Sequence, residues 1–206
     1  GGHSFEDREL KFGLSVRGVI DRNKILRVSG AEEGDVIIIT KPIGIGILAT
    51  ALKGGKITDN EMKPAIHWML TLNDTASELA LKAEATSCTD VTGFGLLGHA
   101  YNMVKGSEID FIIEKDKVPI LENVADMINS GMVSEGAYNN LRFLDGKVEF
   151  SSHITDEDRL LLADPQTSGG LLITVKEKDI KVFEEAGIFF AAIGRVVKGS
   201  GRIEVV

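Results

Sequence analysis

From Glu61 onward the apolar residues Met62, Ala65, Ile66, Met69, Leu72, Ala76, Leu79, Ala80 and Ala83 recur three and four positions apart. That spacing places them along one side of an α-helix and is incompatible with a strand, whose sides alternate at every residue. The stripe predicts one long amphipathic helix, and such a helix must cover something apolar. Val36 to Thr40 (VIIIT) offers a partner, because it reads as a fully buried strand.

Shorter signals fill in the remainder. Phe12 to Ile20 (FGLSVRGVI) alternate apolar with small or polar residues and lead into Ile25 to Val28, a pattern that predicts strands. Gly30 to Asp35 (GAEEGD) is rich in turn residues and marks a domain boundary near residue 30. Gly93, Gly95 and Gly98 open a helix that runs to about Lys105, and Ile109 to Glu114 has strand character. Leu121 to Asn129 predicts a short helix stopped by Gly131, whereas Gly136 to Ser152 has no strong period and reads as loop. Thr155 before Asp156, Glu157 and Asp158 is an N-cap with an acidic first turn, launching a helix to Ala163. Leu171 to Val175, Phe189 to Val197 and Arg202 to Val205 predict strands, with a helix from Lys176 to Ala186 between the first two.

Size and charge narrow the function classes. With 206 residues the chain has room for one ordinary domain and an appendage, and not for two catalytic domains. The 31 acidic residues outnumber 23 basic ones, giving a net charge of −8, which works against nucleic acid as a partner. No apolar run approaches the roughly 20 residues needed to cross a bilayer, so no membrane partner is expected. One cysteine, Cys88, cannot form an internal disulfide and suits a reducing compartment, so a cytoplasmic location is expected.

Four segments can carry chemistry. In Thr89-Asp90-Val91-Thr92-Gly93-Phe94-Gly95-Leu96-Leu97-Gly98-His99, a carboxylate precedes a Gly-rich turn at a helix start. Asp90 there can hold a hard cation while backbone N–H groups face phosphate. Alternatively, Asp90 and Thr92 cap the helix and the glycines allow close packing. Asp164-Pro165-Gln166-Thr167-Ser168-Gly169-Gly170-Leu171-Leu172 joins a helix to a strand. It can shape an anion or water pocket, or serve as a C-cap whose glycines take left-handed angles. Lys41-Pro42-Ile43-Gly44-Ile45-Gly46 can bring Lys41 toward a phosphate, but it fits neither the P-loop nor the dinucleotide pattern and earns no binding assignment. Gly1-Gly2-His3-Ser4 offers backbone donors, an imidazole and a hydroxyl to a nucleotide. His67, His99 and His153 lack metal-ligand spacing, and Cys88 is a small buried residue or, alternatively, a nucleophile.

GGHS, TKPIGIGIL, CTDVTGFGLLGH and DPQTSGGLL, in that order, resemble the selenophosphate synthetases (selenide, water dikinases) across essentially all 206 residues. The resemblance implies an α+β fold with a mixed or antiparallel sheet packed against helices on one face, like the carboxyl-terminal domain of aminoimidazole ribonucleotide synthetase. Residues 1–30 would be the last strands of a truncated amino-terminal ATP-binding domain and residues 31–206 the synthetase-like carboxyl-terminal domain. It further implies a magnesium ligand at Asp90, ATP contacts at Gly2, His3 and Ser4, and a homodimer formed through the amino-terminal domain. The implied reaction converts selenide, ATP and water into selenophosphate, AMP and phosphate. The family's reactive Cys or selenocysteine, its Lys and its other acidic ligands all precede the GGHS match, so this chain alone is expected to be inactive. The alternatives are a noncatalytic dimerisation or regulatory module of the same superfold, or another ATP-dependent synthetase. CTDVTGFGLLGH with DPQTSGGLL points away from aminoimidazole ribonucleotide synthetase and thiamine monophosphate kinase.

Overall fold

The buried strand forms as its composition demands. The computed structural model describes residues 15–206, and β1 (Asp35–Ile39) lies near the middle of a seven-stranded sheet. Its neighbours are β5 (Leu171–Lys176) and β6 (Ala191–Lys198), both antiparallel. β2 (Ser87–Asp90) pairs β5 at one edge. On the other side β3 (Ile109–Ile113) pairs β6, and β7 (Ile203–Val205) and β4 (Val148–Phe150) follow in parallel. The order β2-β5-β1-β6-β3-β7-β4 makes the sheet mixed and the class α+β.

Alternation in β1 sends its side chains to two separate cores. Ile37 and Ile39 join the larger one, with α1 (Ile45–Lys53), α2 (Asp59–Leu70), α4 (Gly95–Val104), α5 (Val124–Asn129) and α7 (Asp156–Leu162). Ile38 joins the smaller one, where α3 (Asp74–Lys82) and α8 (Lys181–Ala186) lie. Helices thus cover both faces of the sheet, not the single face expected. All three isoleucines are fully buried, and each such burial is worth about 2 kcal/mol.

The long stripe is consequently two helices. Met62 and Ala65 of α2 pack in the larger core, while Ala76, Leu79 and Ala80 of α3 pack in the smaller one. A straight helix cannot reach both faces of a sheet, so the chain turns at residues 71–73. Lys41 secures the turn by donating from Nζ to Thr71 O (2.6 Å), at the C-terminus of α2 where the helix dipole favours a cation. Each half kept the helical spacing, which is why the break left no mark on the periodicity.

Two other expectations change. Gly136 to Ser152 is not loop: α6 (Glu135–Leu144) and β4 lie there, with Ser134 capping α6. The residues that weakened the helical signal serve tertiary contacts. A Cβ on Gly136 would stand 2.7 Å from Pro165 Cγ, and Asn140 Nδ2 donates to Gly93 O and Ala163 O, both at 2.9 Å. The helix expected from Lys176 shrinks to Lys181–Ala186, because Lys176 ends β5 and pairs with Asp35 (2.8 Å) and Glu32 (2.7 Å).

The strands expected before residue 30 do not form among the described residues. Residues 15–34 hold one 3-10 turn, Arg22–Lys24, and Val16 and Val19 are exposed, with no neighbouring strand among the described residues to complete their hydrogen bonds. Phe12 to Leu14 lie outside the described residues. Leu26 packs against the smaller core, and Arg27 O accepts from Cys88 N (2.7 Å) along the open edge of β2. No helix among the described residues is long and apolar enough to cross a membrane.

Candidate functional site

The three internal motif segments meet at one end of the sheet. β2 delivers Asp90 opposite Leu171 at the start of β5, and Thr40, just past β1, donates from N to Leu171 O (3.1 Å). Leu171 N in turn donates to Thr40 Oγ1 (2.8 Å). The sites of TKPIGIG, CTDVTGFG and DPQTSGG are therefore one structure, although more than a hundred residues separate the outer two.

DPQTSGG is a helix cap supplied from afar. Asp164 Oδ2 accepts from Gly46 N (2.9 Å) and Ile47 N (3.3 Å), and Gln166 Oε1 accepts from Gly44 N (3.1 Å) and Ile45 N (3.2 Å). These are the donors that the first turn of α1 leaves without intrahelical partners. Gln166 Nε2 closes the network on Asp164 O (2.8 Å) and Oδ2 (2.9 Å). The Gly-rich turn after β1 thus has its N–H groups occupied and is not a phosphate cradle. Asp164 is fully buried and its carboxyl is pushed up to about 7, chiefly by burial, with the bonds from Ile47, Gln166 and Gly46 pulling the other way. Asp164 Oδ1 has no hydrogen-bond partner among the described residues.

The glycines of this segment serve close approach and not left-handed angles. A Cβ on Gly169 would stand 2.2 Å from Val91 O, and one on Gly170 would stand 2.5 Å from Lys41 N. The left-handed residue is Ser168, at φ 52°. Lys41 is 2% exposed and donates to Ser168 O (2.9 Å) as well as to Thr71 O, so its ammonium is sequestered and not offered to solvent.

Asp90 is exposed, and it caps nothing. The N-cap of α4 is Phe94, whose start carries no side-chain cap, so neither Asp90 nor Thr92 fills that role. Thr92 instead engages His99: Thr92 N donates to Nε2 (3.0 Å) and Thr92 Oγ1 lies 3.1 Å from it. A ring nitrogen that accepts from an amide is unprotonated, which places the proton of a neutral imidazole on Nδ1. Burial lowers the tendency of His99 to charge, and Asp90 partly offsets this. Gly95, at φ 68°, is required because a Cβ there would stand 2.6 Å from Ala163 O.

Among the described residues no cluster of three or more His, Cys, Asp or Glu side chains could enclose a metal ion. An exposed carboxylate at a strand end, beside a Gly-rich turn, has the chemistry to give one ligand to a hard cation whose other ligands are phosphate oxygens and water. Cys88 is buried, and its thiol is pushed up to about 12 by burial and then by the charge of Asp90, which makes it a poor nucleophile. Gly2, His3 and Ser4 lie outside the described residues. A cavity of about 460 Å³ beside the Lys115–Asp158 ion pair (3.0 Å) shares no residue with the Asp90 segment.

Sequence reasoning had no means of assigning Asp164 and Gln166 to α1 or Asn73 and Asn140 to the loops that they hold. Their residue types are ordinary turn and cap formers, and their partners lie far along the chain.

Comparison with known proteins supplies the family. Residues 32–206 match the family described as AIR synthase related protein, C-terminal domain. A selenide, water dikinase from Citrifermentans bemidjiense is 44% identical over 205 residues, covering 98% of this chain and 59% of its own. One from Clostridium botulinum is 44% identical over 197 residues, covering 96% of this chain and 57% of its own. The chain thus spans somewhat under 60% of the length of these curated relatives. The crystal structure of thiamine-monophosphate kinase from Stenotrophomonas maltophilia superposes with a TM-score of 0.59 at 18% identity, over 90% of this chain and 54% of that one, and shares the fold. Along nearly its whole length the chain is similar to selenide, water dikinases, and it belongs to the AIR synthase related family through that family's C-terminal domain.

Proposed function

We propose that this chain is the carboxyl-terminal part of an ATP-dependent selenide, water dikinase, which forms selenophosphate, AMP and phosphate from selenide, ATP and water. The observation that carries the proposal is the 44% identity to a selenide, water dikinase over 98% of the chain. The position of Asp90, exposed where the three motif segments converge, supports it.

In this reading Asp90 is one ligand of a magnesium ion. The ion, when bound, neutralises charge on the phosphate oxygens, which phosphoryl transfer chiefly requires. The protein's own part is to hold the carboxylate at the strand end. Val91 N donates to Gly170 O (2.9 Å) and Gln166 N donates to Thr92 O (3.0 Å), fixing the two residues that follow it. Gly2, His3 and Ser4 contact ATP, residues 1–30 belong to an amino-terminal domain, and the intact protein is a homodimer through that domain. The reactive Cys or selenocysteine and the remaining metal ligands then lie in the part of the relatives that this chain does not span.

The test replaces Asp90 in the intact protein. Asp90→Asn keeps the size and removes the charge, so the fold should survive while selenide-dependent AMP formation falls sharply and recovers only in part with added magnesium. Near-normal turnover at ordinary magnesium would show that Asp90 is not a ligand. The 206-residue chain by itself should release no AMP from ATP and selenide, and selenide-dependent release would refute that expectation.

A further inference from the structure

The carbonyl oxygens of Ser168, Gly169 and Gly170 are held in succession. Ser168 O accepts from Lys41 Nζ (2.9 Å), Gly169 O from Asn73 Nδ2 (2.9 Å) and Gly170 O from Val91 N (2.9 Å). Val91 directly follows Asp90. The stretch has no slack, since Gly169 lies against Val91 O and Gly170 against Lys41 N at distances that exclude any side chain. Ser168 keeps a left-handed conformation that costs a non-glycine residue about 1 kcal/mol or more, and such a residue persists only where its surroundings over-determine it.

Lys41 is a costly residue to use for this. It is buried, its hydrogen bonds run to the carbonyls of Thr71 and Ser168, and it forms no ion pair among the described residues. Burial accordingly lowers its affinity for a proton. The bond to Thr71 O secures the turn between α2 and α3, but that turn does not account for the second bond, which reaches across to Ser168 O. What the ammonium provides is a fixed position for the Ser168 carbonyl, and through Gly169 and Gly170 a fixed position for Val91.

We propose that Lys41 is a positioning residue for Asp90, holding the Ser168–Gly170 stretch so that the Asp90 carboxylate presents correctly to a divalent cation. This rests on the reading of Asp90 as a metal ligand. Lys41 makes no direct bond to Asp90; it acts through Ser168 O, the Ser168–Gly170 backbone and the bond from Val91 N to Gly170 O.

Lys41→Met in the intact protein fills the space of the stem and removes both hydrogen bonds. The magnesium concentration giving half-maximal AMP formation should rise several-fold, up to about the tenfold that loss of a directly bonded outer-shell partner gives, while the rate at saturating magnesium changes much less. Lys41→Arg, which restores donors, should recover part of the loss. If the Met variant does not fold, Lys41→Gln keeps one donor and should give a smaller shift in the same direction. An unchanged magnesium requirement, with rate falling only as folded protein falls, would make Lys41 a structural residue and overturn the proposal. A second measurement uses neither metal nor activity. In the 206-residue chain, Lys41→Met or Lys41→Gln should move the amide resonances of Asp90, Val91 and Gly170 while leaving those of β7 in place. Unmoved resonances at Val91 and Gly170 overturn the coupling itself. Moved resonances together with a normal magnesium requirement in Asp90→Asn would instead overturn the metal reading, so the two failures are separable.

Discussion

Asp164 carries a buried carboxyl whose environment works against its charge, and neutralising it by Asp164→Asn tests how the three motif segments are held. Oδ2 accepts from Gly46 N, Ile47 N and Gln166 Nε2, and an asparagine oxygen at that position can accept the same bonds. Its Nδ2 would then stand where Oδ1 has no hydrogen-bond partner among the described residues. The carboxyl is pushed from 3.8 to about 7, so the folded state binds its proton more tightly than the unfolded chain does. Between those values the folded protein carries the extra proton, and stability therefore falls as pH rises from about 4 to about 7, then levels off. Three pH units at about 1.4 kcal/mol each give a loss on the order of 4 kcal/mol. The variant lacks this loss. Urea unfolding midpoints of both chains at pH 4.5, 6, 7 and 8 should show nearly equal stability in acid and an Asn variant more stable by about 2–4 kcal/mol at pH 8. A difference between the two that stays constant across this range would refute the raised carboxyl, and an Asn variant much less stable at pH 8 would show that the charge itself holds α1.

Gly169→Ala should destabilise the fold by about 2 kcal/mol or more, because its Cβ would overlap Val91 O at 2.2 Å against rigid backbone, as a urea midpoint would report. Cys88 in the folded chain should react with iodoacetamide at pH 8 far more slowly than in urea, and equal rates would contradict its buried, protonated state. Thr155→Ala removes a capping box with Asp158, and a loss of about 1 kcal/mol in thermal or urea unfolding is expected, with no effect on the Asp90 segment.

Much of the fold was legible in local pattern. Ile37 to Ile39 announced a strand buried on both faces, Thr155 and its acidic followers announced α7, and the apolar runs of β5, β6 and β7 fell within a residue or two of their observed bounds. Residues 136–152 were not, because Gly136 and Asn140 weaken a helix locally while serving Pro165, Gly93 and Ala163 across the fold. The strands expected around Val16 and Val19 failed for a related reason: alternation can suggest a strand, but only a neighbouring strand completes its hydrogen bonds.

The candidate site divides in the same way. The sequence by itself marked Asp90 and its Gly-rich turn, the DPQTSGG segment and Cys88, because residue type and short-range spacing limit what such stretches can do. Tertiary structure alone decided that DPQTSGG caps α1, that Gly169 and Gly170 are there for close approach, that Asp90 caps no helix, and that the amphipathic stripe must break at residues 71–73. Each of these depends on which backbone group stands within about 3 Å of which side chain, a relation between residues far apart in the chain that no local pattern encodes.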